Sequence, residues 1–389
     1  MAAHVRSSRS GFLSQCRECG RSFDIDEPVW RCSCGGLLEL EPPAAFSRDS
    51  IETSEPGFWR YSAGLPPLER HQRLRLGEAM TPLVETELYG APVHLKLDYL
   101  LPTGSYKDRG AAVLVSVLRK NGIKRAIDDS SGNAGAAAAA YAAAAGIDFT
   151  VLTPATNSPA KLAQISAYGA NLVAIEGSRA DVAEATMARA NTAFYASHVW
   201  HPLYPAGVAT LGFEIWEQLG YRAPAAVVVP AGQGSLVLGL ARAFEALSKG
   251  GAIQTPPAIV AVQTQAFPAL VNAFEGGETH AAAAGGELDT MAEGIACRMP
   301  LRGVAILAAL RATRGQAVAV SEADIKDALL TLARSGFYVE PTSAVAAAGF
   351  RRANLSSDTD PIVVVLTGSG LKAGDRIAEL IGASGSRNT

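Results

Sequence analysis

Short apolar segments alternate with longer segments of helical character through most of the chain. An apolar segment bounded by polar or glycine-rich turns is typical of a strand buried on both faces of a sheet. Strands are predicted on this basis, or from strict alternation, at 93–98, 149–153, 171–175, 225–230, 259–262, 317–320 and 361–366. Helices are predicted between them, among others at 158–168, from about Arg179, and from 235 to 247. This order predicts parallel sheets covered by helices on both faces, and hence an α/β fold.

Glycine-rich turns precede two of the predicted helices. Ser130-Ser-Gly-Asn-Ala-Gly135 leads into an alanine-rich helix, and Ala231-Gly-Gln-Gly-Ser235 follows the strand at 225–230. The first N–H groups of a helix have no partner within it, and glycine lets an anion approach the backbone closely. The first turn is therefore a candidate site for a carboxylate and the second for a phosphate. Each is also compatible with an ordinary tight turn.

One lysine stands at the entrance of a predicted helix. Lys107 follows a Pro-Thr-Gly-Ser turn and precedes an apolar helical run over 111–118. Backbone N–H groups at a helix entrance carry partial positive charge, which favours a neutral amine. A neutral lysine amine can condense with an aldehyde. Lys107 is therefore the candidate catalytic residue, and a solvated lysine in a turn is the alternative.

Four of the five cysteines lie close together near the N-terminus: Cys16, Cys19, Cys32 and Cys34. Glycine follows each pair and permits the tight turns that aim N–H groups at sulfur. Four thiolates satisfy tetrahedral Zn²⁺, although one residue separates the second pair where two are more usual. The alternative is four unligated thiols, but so small an arm buries too little apolar surface to fold without metal or docking. Residues 1–40 are therefore interpreted as a structural zinc-ribbon-like arm.

Several segments resemble, in order, the motifs of one enzyme family. Thr103-Gly-Ser-Tyr-Lys-Asp-Arg-Gly110, the Ser-Ser-Gly-Asn turn and Thr367-Gly-Ser-Gly-Leu-Lys372 are similar to segments of threonine synthases. These enzymes belong to the tryptophan-synthase-β-like (fold type II) family of pyridoxal-phosphate (PLP) enzymes. The resembling segments extend across 76–372. The resemblance implies PLP as the cofactor and Lys107 as the residue that joins it through a Schiff base.

The resemblance also implies roles for the other motif residues. Asn133 would donate a hydrogen bond to the phenolic oxygen of the cofactor. Thr367 would face the pyridine nitrogen, with Ser369 as the alternative, and the segment 337–344 would pack near the cofactor. The cofactor phosphate would be held by Ala231, Gly232, Gln233, Gly234 and Ser235. The substrate carboxylate would be held by Ser130, Ser131, Gly132 and Ala134.

The implied fold has two parallel-sheet, helix-covered α/β domains behind the zinc-ribbon-like arm. The arm comprises 1–40. The large PLP-binding domain comprises 41–110 and 206–389, and the small α/β domain, 111–205, is inserted into it. A homodimer is expected from the resemblance alone.

The activity implied by the resemblance is that of a threonine synthase, a carbon–oxygen lyase that converts O-phospho-L-homoserine and water to L-threonine and phosphate. Tyr204 and Ala209 stand where these enzymes usually carry an arginine and a lysine for the substrate phosphate. Loss of two charge-assisted donors weakens phosphate binding substantially. The alternative is therefore a β-eliminating ammonia-lyase or dehydratase, or a β-replacement enzyme, acting on serine, threonine, diaminopropionate or a related amino acid. Replacement charges could come from Lys161, Arg179, Arg298 and Arg302.

A non-catalytic zinc-ribbon binding protein is the alternative from another class. The chain has 34 basic and 37 acidic residues and a net charge of −3, which favours neither a nucleic acid nor an anionic membrane as partner. No apolar run is as long as a membrane span, and the first fifteen residues lack an apolar signal core. The composition therefore predicts a cytoplasmic protein, and the intact Lys107 favours an enzyme that acts on a small amino acid.

Overall fold

The computed structural model describes residues 12–157, 159–283, 289–353, 355 and 360–385. The strands of these residues are, in chain order, β1 (Leu13–Cys16), β2 (Ser22–Asp24), β3 (Leu38–Leu40), β4 (Leu83–Leu88), β5 (Ala91–Lys96), β6 (Arg125–Asp128), β7 (Asp148–Pro154), β8 (Asn171–Ile175), β9 (Phe194–Tyr195), β10 (Ala226–Pro230), β11 (Ala258–Thr264), β12 (Gln316–Val320) and β13 (Ile362–Val365). The α-helices are α1 (Lys107–Lys120), α2 (Asn133–Ala145), α3 (Pro159–Ala167), α4 (Arg179–Arg189), α5 (Leu203–Gln218), α6 (Ser235–Lys249), α7 (Ala269–Glu275), α8 (Gly303–Ala312), α9 (Glu322–Arg334), α10 (Pro341–Arg352) and α11 (Gly374–Gly385). Among these described helices, none combines the length and the apolar character needed to cross a bilayer.

The larger sheet has six strands in the order β12-β11-β10-β13-β5-β4. Its strands are parallel except for β4, which lies antiparallel to β5 at the edge. Tyr89 and Gly90 join β4 to β5 with φ of 55° and 78°, as a type I′ hairpin turn requires. Every residue of β10 and β13 is buried, which explains why both strands appear in the sequence as continuous apolar runs.

The smaller sheet has four parallel strands in the order β8-β7-β6-β9. All four lie within the segment predicted as an insertion. The predicted boundaries themselves fall inside helices, 110/111 within α1 and 205/206 within α5. Helices rather than loops therefore connect the two sheets, and the domain boundaries stay a prediction. A third, antiparallel sheet of β2, β1 and β3 forms the N-terminal ribbon.

The large sheet is covered on both faces. One apolar core contains residues of α1, α2, α5 and α6 together with Val363 and Val365 of β13. A second core, which contains Val364, includes α9 and α10. Side chains of a strand alternate between its faces, so β13 contributes to both cores. The two parallel sheets with helices on both sides confirm the predicted α/β architecture.

A buried ionic network fixes the start of α1. The Arg109 guanidinium donates to Asp98 through Nε and Nη2, each at 2.8 Å, and its Nη2 lies 3.0 Å from Glu214 Oε1. Lys96 Nζ donates to the same Glu214 oxygen at 2.6 Å, and all four side chains are fully buried. Burial would raise the pKa of Glu214, but Arg109 and Lys96 outweigh burial and lower it to about 2. Because Arg109 lies two residues after Lys107, this network also determines where Lys107 lies.

Candidate active site

Lys107 is the first residue of α1 and lies between two tyrosine rings. Its Nζ is 4.9 Å from the ring centroid of Tyr106 and 5.7 Å from that of Tyr204. The Tyr204 hydroxyl donates to the Lys107 carbonyl oxygen at 2.8 Å. The Tyr204 ring also occupies the space that a Cβ at Gly110 would need. Helix α5 therefore packs tightly against the first turn of α1 and holds the lysine in place.

The turn before Lys107 is held by Asp108. Its carboxylate accepts a hydrogen bond from the Thr103 backbone N–H at 2.8 Å and another from the Thr103 hydroxyl. Burial raises the pKa of Asp108 to about 7, against the opposing effect of the Thr103 hydrogen bonds and of Lys372. Lys372 Nζ donates to the Thr103 carbonyl at 2.8 Å and to Gln164 Oε1 at 2.5 Å. The turn is thus linked to α3 and to the end of β13.

The glycine turn at 231–235 lies beside this lysine. The Tyr106 hydroxyl and Ser235 Oγ are 3.1 Å apart. Gly234 has φ of 77°, and a Cβ there would overlap the Ile306 side chain. The Ala231 N–H donates to Val262 O at 2.8 Å, whereas for the N–H groups of 232–235 the described part of the chain provides no hydrogen-bond partner. The N–H groups of 232–235 are thus free donors at a helix N-terminus, an arrangement that suits an anion, whereas the Ala231 N–H belongs to the sheet.

Thr367 lies at the end of β13, directly beside the lysine segment. Its carbonyl accepts a hydrogen bond from the Tyr106 N–H at 2.9 Å. Its own N–H donates to Ser343 Oγ at 2.5 Å, and its hydroxyl lies 3.4 Å from the same oxygen. Ser369 Oγ accepts from the Leu371 N–H at 3.3 Å. Thr367, the predicted partner of the ring nitrogen, is thus buried at the end of β13. Ser369, the alternative, caps a short turn.

Asn133 and Glu340 meet across the site. Asn133 Nδ2 donates to the two carboxylate oxygens of Glu340 at 2.9 and 3.1 Å. Burial raises the pKa of Glu340, whereas the Asn133 hydrogen bond and the charges of Lys372 and Lys107 oppose that rise. The amide predicted to contact the cofactor oxygen is therefore close to Lys107 and is held by a carboxylate that the motif reasoning did not single out.

The turn predicted for the substrate carboxylate opens α2. Gly132 is the N-cap residue, and α2 begins at Asn133. A Cβ at Gly135 would overlap the Ser130 carbonyl, so only glycine permits this tight turn. Within the described residues, the N–H groups of Gly132, Asn133 and Ala134 have no hydrogen-bond partner. These donors at a helix N-terminus suit a carboxylate, and the binding of a substrate carboxylate by Ser130, Ser131, Gly132 and Ala134 stays a prediction.

Tyr204 and Ala209, the two positions predicted to lack phosphate-binding cations, lie on α5. Tyr204 and Ala209 are both buried within α5. Of the candidate replacements, Arg179 pairs with Asp129 at 2.7 Å, and Arg302 donates to three backbone carbonyl groups. Arg298 is exposed, and the side chain of Lys161 lies outside the described part of the chain.

The four N-terminal cysteines converge. Their sulfur atoms lie within 4.8 Å of one another, with Cys16 and Cys34 3.5 Å apart and Cys19 and Cys32 3.6 Å apart. A hydrogen bond from the Cys34 backbone N–H to the Cys32 sulfur is the main cause that lowers the pKa of the Cys32 thiol to about 6. Zinc–sulfur bonds of about 2.3 Å place tetrahedral ligands roughly 3.8 Å apart, so this donor set fits Zn²⁺. Cys297 is buried elsewhere.

Four residues of the site were not singled out from the sequence. Ser343 and Glu340 lie in the segment predicted to pack near the cofactor, and Tyr106 lies in the lysine motif. Pro341 in the first turn of α10 is a helix-start signal that could have placed Glu340 and Ser343 at a helix N-terminus. His198 faces the site as well, and no sequence pattern indicated it.

The comparisons with known proteins agree with this geometry. The family model described as pyridoxal-phosphate dependent enzyme matches residues 74–368. The threonine synthase of Methanocaldococcus jannaschii is 31% identical over 379 residues, which cover 93% of each chain. The threonine synthase of Methanosarcina acetivorans is 30% identical over 373 residues, covering 92% of this chain and 91% of its own.

The fold is similar to that of solved enzymes of the same type. The crystal structure of a threonine deaminase from T.th. superimposes with a TM-score of 0.64 at 29% identity and covers 75% of this chain and 92% of its own. Family match, relatives and fold therefore agree on the type of enzyme. The chain belongs to the pyridoxal-phosphate-dependent enzyme family, in which it is a threonine-synthase-like lyase of fold type II.

Proposed function

We propose that the chain is a threonine synthase, which converts O-phospho-L-homoserine and water to L-threonine and phosphate. The observation that carries the proposal is the extent of similarity: both archaeal threonine synthases match over more than nine-tenths of this chain and of their own length. The arrangement of Lys107, the 232–235 turn and the N-terminus of α2 supports it, because these groups can hold a cofactor phosphate and a substrate carboxylate on either side of one amine.

Each residue of the site has a task in this proposal. PLP, when bound, accepts the electrons of a bond broken at the substrate α-carbon. Lys107 would hold the cofactor and, as a free amine, would take the proton from the substrate α-carbon as a base. The N–H groups of 232–235 would bind the cofactor phosphate, and those at the start of α2 would bind the substrate carboxylate. The Thr367 hydroxyl, unlike a carboxylate, would not hold the ring nitrogen protonated.

Asn133 and Glu340 act together in the proposal. The Glu340 carboxylate accepts both hydrogen bonds of the Asn133 amide nitrogen. It therefore fixes the orientation of that side chain beside the cofactor ring.

A second candidate is a β-eliminating ammonia-lyase or dehydratase that acts on a small amino acid without a phosphate. The observation that favours it is the pair Tyr204 and Ala209. Tyr204 donates to the Lys107 carbonyl and Ala209 is buried, so neither provides a charge for a substrate phosphate. The zinc in the ribbon, the homodimer and a cytoplasmic location are further parts of the proposal.

The experiment that separates the candidates uses the PLP-loaded protein with O-phosphohomoserine and, in parallel, serine, threonine and diaminopropionate. Phosphate, threonine, ammonia and oxo acid are measured as products. Equimolar phosphate and threonine would establish a threonine synthase. Ammonia and an oxo acid, without turnover of phosphohomoserine, would contradict that proposal and establish the second candidate.

Gly234→Ala is expected to weaken PLP binding by about tenfold. The residue has φ of 77° and its Cβ would overlap Ile306, and a left-handed conformation costs a non-glycine residue roughly 1–2 kcal/mol. The strain would move the N–H groups of the turn away from the phosphate. PLP titration followed by tryptophan fluorescence measures the effect.

Gly336→Ala is the matched control. Gly336 has φ of 92° with no neighbouring atom within 4 Å of its Cβ position, and it lies at the end of α9. It carries the same backbone strain without any contact to the turn, so its PLP affinity should equal that of the wild type. Wild-type affinity in Gly234→Ala would contradict the assigned role.

A further inference from the structure

The ribbon packs against the small sheet through an aromatic cluster. The Trp30 ring lies edge-on to the ring of Tyr195, with centroids 5.0 Å apart, and to that of Trp200, with centroids 5.6 Å apart. The Arg31 guanidinium lies 4.9 Å from the Trp30 centroid and 5.6 Å from that of Trp200. Trp30 and Arg31 directly precede Cys32, so the position of this cluster depends on the four-cysteine site.

Arg302 makes a second connection between the ribbon and the same segment. Its Nη1 donates to the Leu38 carbonyl of β3 at 3.0 Å. Its Nε and Nη2 donate to the carbonyl groups of Val199 at 3.0 Å and Trp200 at 2.6 Å. Leu38 pairs with Cys16 across the ribbon sheet. One planar guanidinium with its donors in a fixed fork therefore joins a strand of the cysteine site to residues 199 and 200.

Residues 197–201, here called the histidine loop, connect β9 to α5 and reach the lysine. Ser197 Oγ accepts from the N–H groups of Val199 and Trp200 at 3.3 and 3.4 Å. The His198 ring lies 5.7 Å from the Tyr204 ring, and its Nδ1 is buried without a hydrogen-bond partner in the described part of the chain. Burial, and then the charges of Lys107 and Arg179, lower the pKa of His198. The loop thus places an imidazole with an unpaired nitrogen against Tyr204, the ring that also lies near the Lys107 amine.

The ribbon has little apolar core of its own. Its buried cluster consists of Cys16, Cys32 and Leu38, with Phe23 and Val29 partly buried against them. A domain of this size needs a metal or an external surface to stay folded. Release of the metal would therefore be expected to loosen β3 and Trp30, the two elements that contact the histidine loop.

We propose that metal binding by Cys16, Cys19, Cys32 and Cys34 holds the histidine loop in place, so that the ribbon is a structural part of the active site and Arg302 is its positioning residue. The loop in turn holds His198 against Tyr204, which anchors the Lys107 carbonyl. The proposal uses the Lys107 site of the proposed function, but it holds for either candidate substrate. The ribbon acts by positioning and takes no part in the chemistry.

The test uses the full-length, PLP-loaded protein with its zinc content measured, and three variants: Cys34→Ser, Arg302→Lys and Arg334→Lys. Arg334, exposed in the last turn of α9, is the matched control on a distant helix. Hydrogen exchange of backbone amides in 196–203, PLP affinity, kcat and KM are measured for each. Arg302→Lys keeps the positive charge but loses the planar guanidinium. At least one of the three carbonyl groups that Arg302 contacts is then left unpaired.

The expected result is exchange about tenfold faster in 196–203 for Cys34→Ser and for Arg302→Lys, with kcat lowered about tenfold and PLP affinity unchanged. Zinc should be lost only from Cys34→Ser. Arg334→Lys should equal the wild type in every measurement. If Cys34→Ser fails to fold, Arg302→Lys and removal of zinc from the wild type by a chelator test the same connection.

Three results would overturn the proposal. One is a purified wild-type protein without zinc that nevertheless shows full activity and slow exchange in 196–203. Another is unchanged loop exchange after zinc removal, and the third is an Arg302→Lys variant indistinguishable from Arg334→Lys. Failure of the threonine synthase proposal would instead appear in the identity of the products and would leave these exchange rates as expected.

Discussion

Lys107→Ala is expected to lower kcat by at least roughly 10²–10⁴-fold, the range for loss of a positioned base. The effect should exceed that of any other single change in the site, because Lys107 would both hold the cofactor and move the α-proton. Its Nζ lies between the rings of Tyr106 and Tyr204, and no second lysine precedes α1 in the turn. The variant should also lose the visible absorbance band of PLP joined to a lysine. Absorbance spectra and single-turnover kinetics measure both effects.

Lys124→Ala provides the control for this prediction. Lys124 is exposed and lies beyond the opposite end of α1, so turnover and absorbance should stay at wild-type values. A small amine added to Lys107→Ala should restore part of the activity if the missing base is the only defect. A visible band unchanged in Lys107→Ala would contradict the role of the residue and, with it, the proposed use of PLP.

Glu214→Gln is expected to lower the free energy of unfolding by about 3–5 kcal/mol, the usual cost of breaking a buried ion pair. Glu214 Oε1 accepts from Lys96 Nζ at 2.6 Å and from Arg109 Nη2 at 3.0 Å, and none of these side chains is exposed. Removal of its charge leaves two buried cations with Asp98 as the remaining carboxylate in the network. Urea denaturation followed by tryptophan fluorescence measures the loss.

The same network makes a prediction about pH. The folded-state pKa of Glu214 is about 2, below its ordinary value, so its contribution is complete above the unfolded pKa and is lost as pH falls towards 2. The wild type should therefore lose stability over this range, and Glu214→Gln should lose less. Glu245→Gln, which removes an exposed pair with Lys249, should change stability by less than about 1 kcal/mol. A Glu214→Gln variant as stable as this control would contradict the assignment.

The strands of the large sheet were predictable because burial on both faces leaves a direct trace in the sequence. The run at 225–230 became β10 at 226–230, and the run at 361–366 became β13 at 362–365. The edge strand β4 has alternating exposure, lacks such a run and was not predicted. In its hairpin turn, Tyr89 and Gly90 both adopt the left-handed conformation. Tyrosine rarely adopts this conformation, so its presence at the first position does not indicate a hairpin turn.

The site was predictable where a motif is local and was not where it depends on packing. The lysine and the two glycine turns lie within short segments, so their positions at helix starts followed from sequence alone. The partner of Asn133 could not be predicted, because Glu340 lies 207 residues away in the chain. The contact of Arg302 with Leu38 spans 264 residues. Such pairs are determined by how the sheets and the ribbon pack together.

In the proposed function, Tyr204 links substrate choice to the placement of Lys107. The same side chain that stands at the predicted phosphate-binding position also holds the Lys107 carbonyl and fills the space beside Gly110. Replacing Tyr204 by arginine would supply a charge, but it would also remove the hydrogen bond that anchors the Lys107 carbonyl. Helices α1 and α5 therefore have to be changed together when this position is altered.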